Sequence, residues 1–268
     1  MQEITINGKS FRVEPEGYEY FWPQVNSGEW EPSTYANFDR NIDDSTLMID
    51  IGAWIGPTAL YAAQLAKKCV AFEPDPIAFE RLQANVALNS SASWIKNLVI
   101  FNKAVGTKAG TIPFGSRKGG GDSTSSVLFA DGPTNWLVQA ITLQSVLDDH
   151  AEPGQKIFLK IDIEGGEYDL IPAIKEVLAN PNVTAAISLH PTFLRRSLRK
   201  SLGRFFGFPR FIQSRKQFLK INRSLVEALP SNKRVTINGK EYTDFKWFLI
   251  NAFVRLRSPM DILITNDA

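Results

Sequence analysis

The stretch Leu47-Met48-Ile49-Asp50-Ile51-Gly52-Ala53-Trp54-Ile55-Gly56-Pro57 limits what this chain can fold into more than any other. Leu47 to Ile51 is a short apolar run interrupted only by Asp50, the pattern of a parallel strand covered on both faces. Gly52 permits a tight turn and a close approach of backbone to ligand, and Gly56 leaves room where a helix meets a strand. Pro57 suits the first position of a helix, which Leu60, Tyr61, Gln64 and Leu65 continue at helical spacing. This strand–glycine loop–helix unit predicts an α/β fold with a doubly wound, Rossmann-like sheet and a nucleoside at its loop.

The next apolar run, Cys69 to Phe72, ends at Glu73-Pro74-Asp75-Pro76. Glu73 stands near the spacing of roughly 20 residues at which an acid meets the ribose hydroxyls in such folds. The glycines, however, read Gly-x-x-x-Gly after an Asp. Asp50 would repel a pyrophosphate and attract an ammonium group. S-adenosylmethionine has an ammonium, a ribose and no phosphate, so it fits this charge pattern better than a dinucleotide. On that reading Asp50 and Gly52, with Ala53 and Gly56, serve the methionine end. Glu73 and Pro74 serve the ribose. The backbone at Ala104, just beyond a strand over 98–101, meets the adenine edge.

A second informative run is Ile157 to Glu167, where a buried strand delivers Asp162, with Glu164 just beyond and Gly165-Gly166 forming the turn. Pro172 predicts that the following helix starts at Tyr168 or later. Val183 to Leu189 is a further strand, ending at His190-Pro191. Asp50, Glu73, Asp162 and His190 thus all stand where strands stop, on the edge where ligands bind. Asp162 and Glu164 are the candidates to face an acceptor, one as base and one as positioning group, with His190 as the rival base. A divalent metal held by Asp162, Glu164 and His190 is the less favoured reading.

Around this core, residues 4–11 and 235–242 each alternate about Asn-Gly and predict hairpins. Gly17 to Glu31 is aromatic and irregular, covering an edge of the core or closing over the cofactor. Helices are expected from Pro32 and over Ile77 to Asn89, and a short hairpin over Thr107 to Phe114. Gly119 to Ser126 is a flexible polar stretch, either a surface linker or a functional loop. The expected organisation is a cover segment over 1–46, the core over 47–190, a basic helical insertion over 191–260 and a final strand over 261–268 returning to the sheet.

The 268 residues carry a net charge of only +2, but Pro191 to Arg257 holds 16 Lys or Arg against three acids. Arg195, Arg196, Arg199, Lys200, Arg204, Arg210, Arg215, Lys216, Lys220 and Arg223 follow one another without an acid between them. Phe205, Phe206, Phe208, Phe211, Phe218 and Leu219 are interleaved. This is either a solvated face or an anion-binding lid, suited to an anionic small-molecule or glycan acceptor or to peripheral contact with a membrane surface. Nucleic acid is the less favoured partner, because no Asn/Asp-Pro-Pro-Tyr/Phe motif follows the fourth core strand. One cysteine excludes an internal disulfide. With no leader-like start and no long apolar run, the expected location is cytoplasmic.

Taken together, Ile49-Asp50-Ile51-Gly52-Ala53 through Gly56, Ala71-Phe72-Glu73-Pro74-Asp75-Pro76, Asn85 to Asn89, and Lys160-Ile161-Asp162-Ile163-Glu164-Gly165-Gly166-Glu167 resemble the FkbM-type family of S-adenosylmethionine-dependent methyltransferases. Leu189-His190 looks like the family's next strand end, and the resemblance runs from about Trp30 to His190. It implies a class I methyltransferase sheet and transfer to a hydroxyl of a sugar or polyketide. Trp54 departs from the pattern, standing where the family usually has a small polar residue such as Asn. The competing readings are a nucleic-acid methyltransferase and a non-catalytic binding protein on the same fold.

Overall fold

Asn7 and Gly8 both adopt positive φ, the backbone of a two-residue hairpin turn, and join β1 (Gln2–Ile6) to β2 (Lys9–Val13). This is a computed structural model; it describes the chain apart from residues 117, 118, 124, 131, 202–207, 255–258, 267 and 268. The side chains of residues 129, 200, 201, 208–211, 253 and 254 are also outside the description. The helices α1 (Phe21–Asn26) and α2 (Pro32–Asn41) lead into β3 (Leu47–Ile51), α3 (Pro57–Ala62), β4 (Lys68–Phe72), α4 (Pro76–Leu88) and β5 (Leu98–Phe101). A small sheet follows, made of β6 (Ala104–Gly106), β7 (Gly110–Ser116) and β8 (Thr134–Thr142), and then α5 (Leu143–His150). The second half adds β9 (Ile157–Ile161), α6 (Glu167–Ala173), α7 (Lys175–Ala179), β10 (Val183–Leu189), α8 (Pro191–Ser201) and α9 (Phe208–Glu227). It finishes with β11 (Arg234–Ile237), β12 (Lys240–Glu241), α10 (Phe245–Val254) and β13 (Met260–Thr265).

Eight strands form the main sheet in the order β12-β11-β13-β10-β9-β3-β4-β5. The five from β10 to β5 are parallel, and β13 joins β10 antiparallel. Every residue of β3 is buried, because helices cover both faces of the sheet. Side chains alternate between these faces: Leu47, Ile49 and Ile51 enter one core with Leu159 and Ile187, while Met48 enters another with Phe158, Phe38, Tyr61 and Trp22. The N-terminal hairpin is fastened to the second layer by α4. Asn85 Oδ1 accepts from Glu14 N at 2.8 Å, and Asn89 brackets Arg12 through both its N–H and its C=O.

Three expectations need correction. Residues 107–114 do not form their own hairpin: β7 pairs with β8 across residues 117–133, and β6 lies parallel on the far side of β8. Three residues of β6 give too short an edge to compete with the seven-residue register of β7 on β8. Pro172 lies inside α6 near its end, not in its first turn; its missing N–H removes one helical hydrogen bond, and the helix breaks two residues later at Ile174 before α7. Residues 191–260 are also not a purely helical insertion. The β11–β12 hairpin extends the main sheet by pairing β11 with β13, and Phe218, Leu225 and Phe248 enter the main core. Alternation at 235–237 decides this, since Val235 and Ile237 point inward.

Candidate active site

The strand order reverses between β3 and β9: the chain runs from β3 outward through β4 and β5, and from β9 the other way to β10. A crevice opens at the carboxyl ends of strands at such a reversal. Here it is a cavity of ≈ 640 Å³ lined by Gly52, Ala53, Glu73 and Pro74 on one side and by Asp162, Glu164 and His190 on the other. The two loops meet tightly. A Cβ on Gly52, whose φ is +90°, would lie 1.9 Å from the Asp162 carbonyl oxygen, so only glycine fits. Gly56 caps α3 at φ +97°, and a Cβ there would strike Leu82 of α4 at 2.6 Å.

Glu73 is held by the backbone around it. Its Oε2 accepts from Trp54 N at 2.8 Å and its Oε1 from Asp75 N at 2.8 Å. Burial nevertheless pushes its pKa up to about 8, against the pull of those two N–H groups. Trp54, with φ +51°, lines the cavity; its indole packs edge-on against Phe21 and Tyr18 and donates to Gly121 O at 2.9 Å. The glycine-serine stretch is therefore docked, not a free linker. Asp75 caps α4 with one oxygen, and with the other accepts from Gly121 N (2.8 Å) and Ser125 Oγ (2.6 Å). Asp122, Ser123 and Ser125 consequently line the cavity; Thr124 lies outside the described residues.

Asp50 does not line the cavity. It is fully buried and faces the same side of the sheet as Met48. Its register partner on β9 is Lys160, whose Nζ lies 3.2 Å from Asp50 Oδ1, while Thr58 Oγ1 donates to Asp50 Oδ2 at 2.6 Å. Lys160 does line the cavity, donates to Gly52 O at 3.0 Å and lies 3.8 Å from Asp162. Burial alone would lower its pKa, but Asp50, Asp162 and Glu31 more than reverse this and keep it protonated. Asp50 thus acts on the site through Lys160 and is not available to a ligand's ammonium. Gly56 and Ala104 are also away from the cavity wall; Ala104 is buried in β6 opposite Ala140.

Asp162, Glu164 and His190 come together. His190 Nε2 lies 3.6 Å from Asp162 Oδ1 and 3.4 Å from Glu164 Oε2, and both oxygens are buried without a hydrogen-bond partner among the described residues. The ring is aimed by Glu167. That wholly buried carboxylate accepts from Ile163 N and Gly165 N, and its Oε1 lies 3.0 Å from His190 Nδ1. Burial would drive the proton off His190, but Glu167, then Asp162 and Glu164, more than reverse this and raise its pKa to about 10. Burial also raises Glu164, with His190 pulling the other way. The three ligand atoms fall within 4.8 Å of one another, so a divalent cation placed there would displace the His190 Nε2 proton.

Lys160, Glu167 and Glu31 are the participants that motif reading passes over. A lysine inside an apolar strand was the visible signal for the first, because a buried ammonium needs a partner. Of the basic residues in 191–223, Arg196 reaches the cavity, at its mouth beside Phe193. Arg215, Lys216, Lys220 and Arg223 lie on the exposed side of α9. Arg204, Phe205 and Phe206 lie outside the described residues, as do the side chains of Lys200, Phe208, Arg210 and Phe211.

The family model described as Methyltransferase FkbM domain matches residues 50–222. Methyltransferase sdnD of Sordaria araneosa is 27% identical over 167 residues, 51% of this chain and 63% of that protein, so the match spans less than two thirds of the relative's length. Among solved structures, the methyltransferase FkbM of Methylobacillus flagellatus KT is 15% identical, with 94% of this chain and 56% of that one covered and a TM-score of 0.47. The Podospora anserina methyltransferase PaMTH1, solved with SAH bound, is 11% identical, with 90% and 79% covered and a TM-score of 0.42. The family model covers well over half of the sequence, including the glycine loop, Glu73 and the Asp162–His190 cluster, and the chain belongs to the methyltransferase FkbM domain family.

Proposed function

We propose that the chain is an S-adenosylmethionine-dependent O-methyltransferase acting on a hydroxyl of a sugar, a glycan precursor or another small molecule bearing negative charge. One observation carries this reading: Gly52, Ala53, Glu73 and Pro74 share a single cavity with Asp162, Glu164 and His190 at the reversal of strand order. Unpartnered carboxylate oxygens in that cavity suit a cationic nucleoside without phosphate. Family membership and the name of the relative support methyl transfer.

When bound, S-adenosylmethionine supplies an electrophilic methyl group on a sulfonium. Glu73, already fixed by two backbone N–H groups, has lone pairs left for the ribose hydroxyls. Asp162 Oδ1, which has no hydrogen-bond partner among the described residues, is placed to take the proton from an acceptor hydroxyl as the oxygen attacks in line. His190 carries a proton and so is not the base. It holds Asp162 and Glu164 by charge while Glu167 fixes its ring. Arg196 at the mouth receives the acceptor's anionic group.

Titration calorimetry tests the cofactor assignment. The wild type binds S-adenosylmethionine, and Glu73→Ala weakens binding by about 10- to 100-fold, the cost of leaving the ribose hydroxyls without their buried partner. Binding of NADH in place of S-adenosylmethionine would contradict it.

A further inference from the structure

Asp50 is buried against Lys160 and Thr58, and Asp162 and Glu164 lie beside His190, so the carboxylate left to meet the ammonium of an amino-acid ligand is Glu31. It precedes α2 in a left-handed conformation (φ 45°, ψ 49°) and leaves the helix N-terminus without a side-chain cap. Its side chain lines the cavity instead. Oε2 is buried and has no hydrogen-bond partner among the described residues, a state that costs free energy unless a ligand relieves it.

Lys160 does not relieve it. Lys160 Nζ donates to Gly52 O and lies 3.2 Å from Asp50 and 3.8 Å from Asp162. Burial, with Asp162 and Asp261 beside it, raises the pKa of Glu31 to about 7, while Lys160 and the Thr34 hydroxyl favour its ionised form; a bound ammonium adds to that pull. Glu73 ends β4, Gly52 follows β3 and Asp162 follows β9, on neighbouring strands spaced by about 4.8 Å. A nucleoside whose ribose rests on Glu73 therefore carries its amino-acid tail across Gly52 toward Asp162 and Lys160. Glu31 belongs to that end of the cavity.

We propose that Glu31 receives the α-ammonium of the cofactor's methionine moiety, through the oxygen that has no partner among the described residues. This rests on the S-adenosylmethionine reading above and adds the residue that recognises the amino acid. It also gives the cover segment a ligand-binding role: Glu31 precedes the residues matched by the family model, and α2 carries Tyr35 and Phe38 into the core below it.

The test pairs a variant with ligands that have or lack the recognised group. The full chain and Glu31→Gln are titrated with S-adenosylhomocysteine, its analogue lacking the α-amino group, and 5′-methylthioadenosine, which has no amino acid. The wild type prefers S-adenosylhomocysteine over the deaminated analogue by about tenfold or more. In Glu31→Gln that preference collapses, while 5′-methylthioadenosine binds as in the wild type. A preference that survives in Glu31→Gln overturns the proposal, as does an equal loss for all three ligands. A wild type without the preference overturns it even if the variant does not fold. A wild type that binds none of the three overturns the cofactor reading as well; binding of 5′-methylthioadenosine without the preference overturns Glu31 alone.

Discussion

At the scale of single residues, roles follow from what each carboxylate already holds. Glu73, Asp162 and His190 were legible in the sequence because each ends a strand on the ligand-binding edge, and the cavity contains all three. Asp50 was misleading: it also ends a strand, but alternation turns it to the Met48 face, and the register that sets it beside Lys160 is a long-range property. Glu31 was illegible because a left-handed residue in an aromatic segment shows no sign of where its side chain goes. The division of labour at the acceptor end gives a kinetic prediction. Asp162→Asn lowers kcat by about 10²- to 10⁴-fold, the usual worth of a positioned base. Cofactor affinity changes by no more than about threefold, well short of the loss of a charge-assisted bond. His190→Ala also slows transfer, because Asp162 and Glu164 lose the cation between them. Normal turnover in both variants would remove the cluster from the mechanism.

At the scale of elements, β3 and β9 form the frame of the site. Their side-by-side charged pair, Asp50 and Lys160, is buried in an otherwise apolar sheet. Removing one partner of such a pair leaves an uncompensated buried charge. Lys160→Met should therefore destabilise the chain by about 3–5 kcal/mol in urea unfolding, while Asp50→Asn with Lys160→Met costs less than the single change. Wild-type stability in Lys160→Met would show that Asp50 finds its compensation elsewhere. The strands, α4 and the Asn-Gly hairpins were legible from period and turn chemistry. The 119–126 loop was not, since composition alone shows a flexible polar segment and the anchor is Asp75, some fifty residues earlier. Trp54 belongs here too: its indole joins the glycine loop, Tyr18, Phe21 and Gly121 into one wall.

At the scale of the whole molecule, four buried titratable groups, Glu31, Glu73, Glu164 and His190, line one crevice, and this makes stability depend on pH. The carboxyl of Glu73 rises from 4.5 to about 8 and the imidazole of His190 from 6.5 to about 10, with Glu31 and Glu164 shifted the same way. Each raised value means that the folded state holds protons the unfolded chain releases. Their contribution is complete below the unfolded values and is lost as pH climbs to about 8 for Glu73 and about 10 for His190. The ligand-free protein should melt at least about 5 °C lower at pH 9 than at pH 6, read by calorimetric Tm; an equal or higher Tm at pH 9 would mean these groups are not buried as described. Among the described residues no helix is long and apolar enough to cross a membrane. Arg215, Lys216, Lys220 and Arg223 of α9 face outward, and among the described basic residues of 191–223 it is Arg196 that reaches the cavity. The most direct measurement is a crystal structure of the chain with S-adenosylhomocysteine. The account predicts the nucleoside lying across the carboxyl ends of β4, β3 and β9, its ribose hydroxyls on Glu73 and its sulfur facing Asp162. A nucleoside bound elsewhere, or with its ribose away from Glu73, would contradict it.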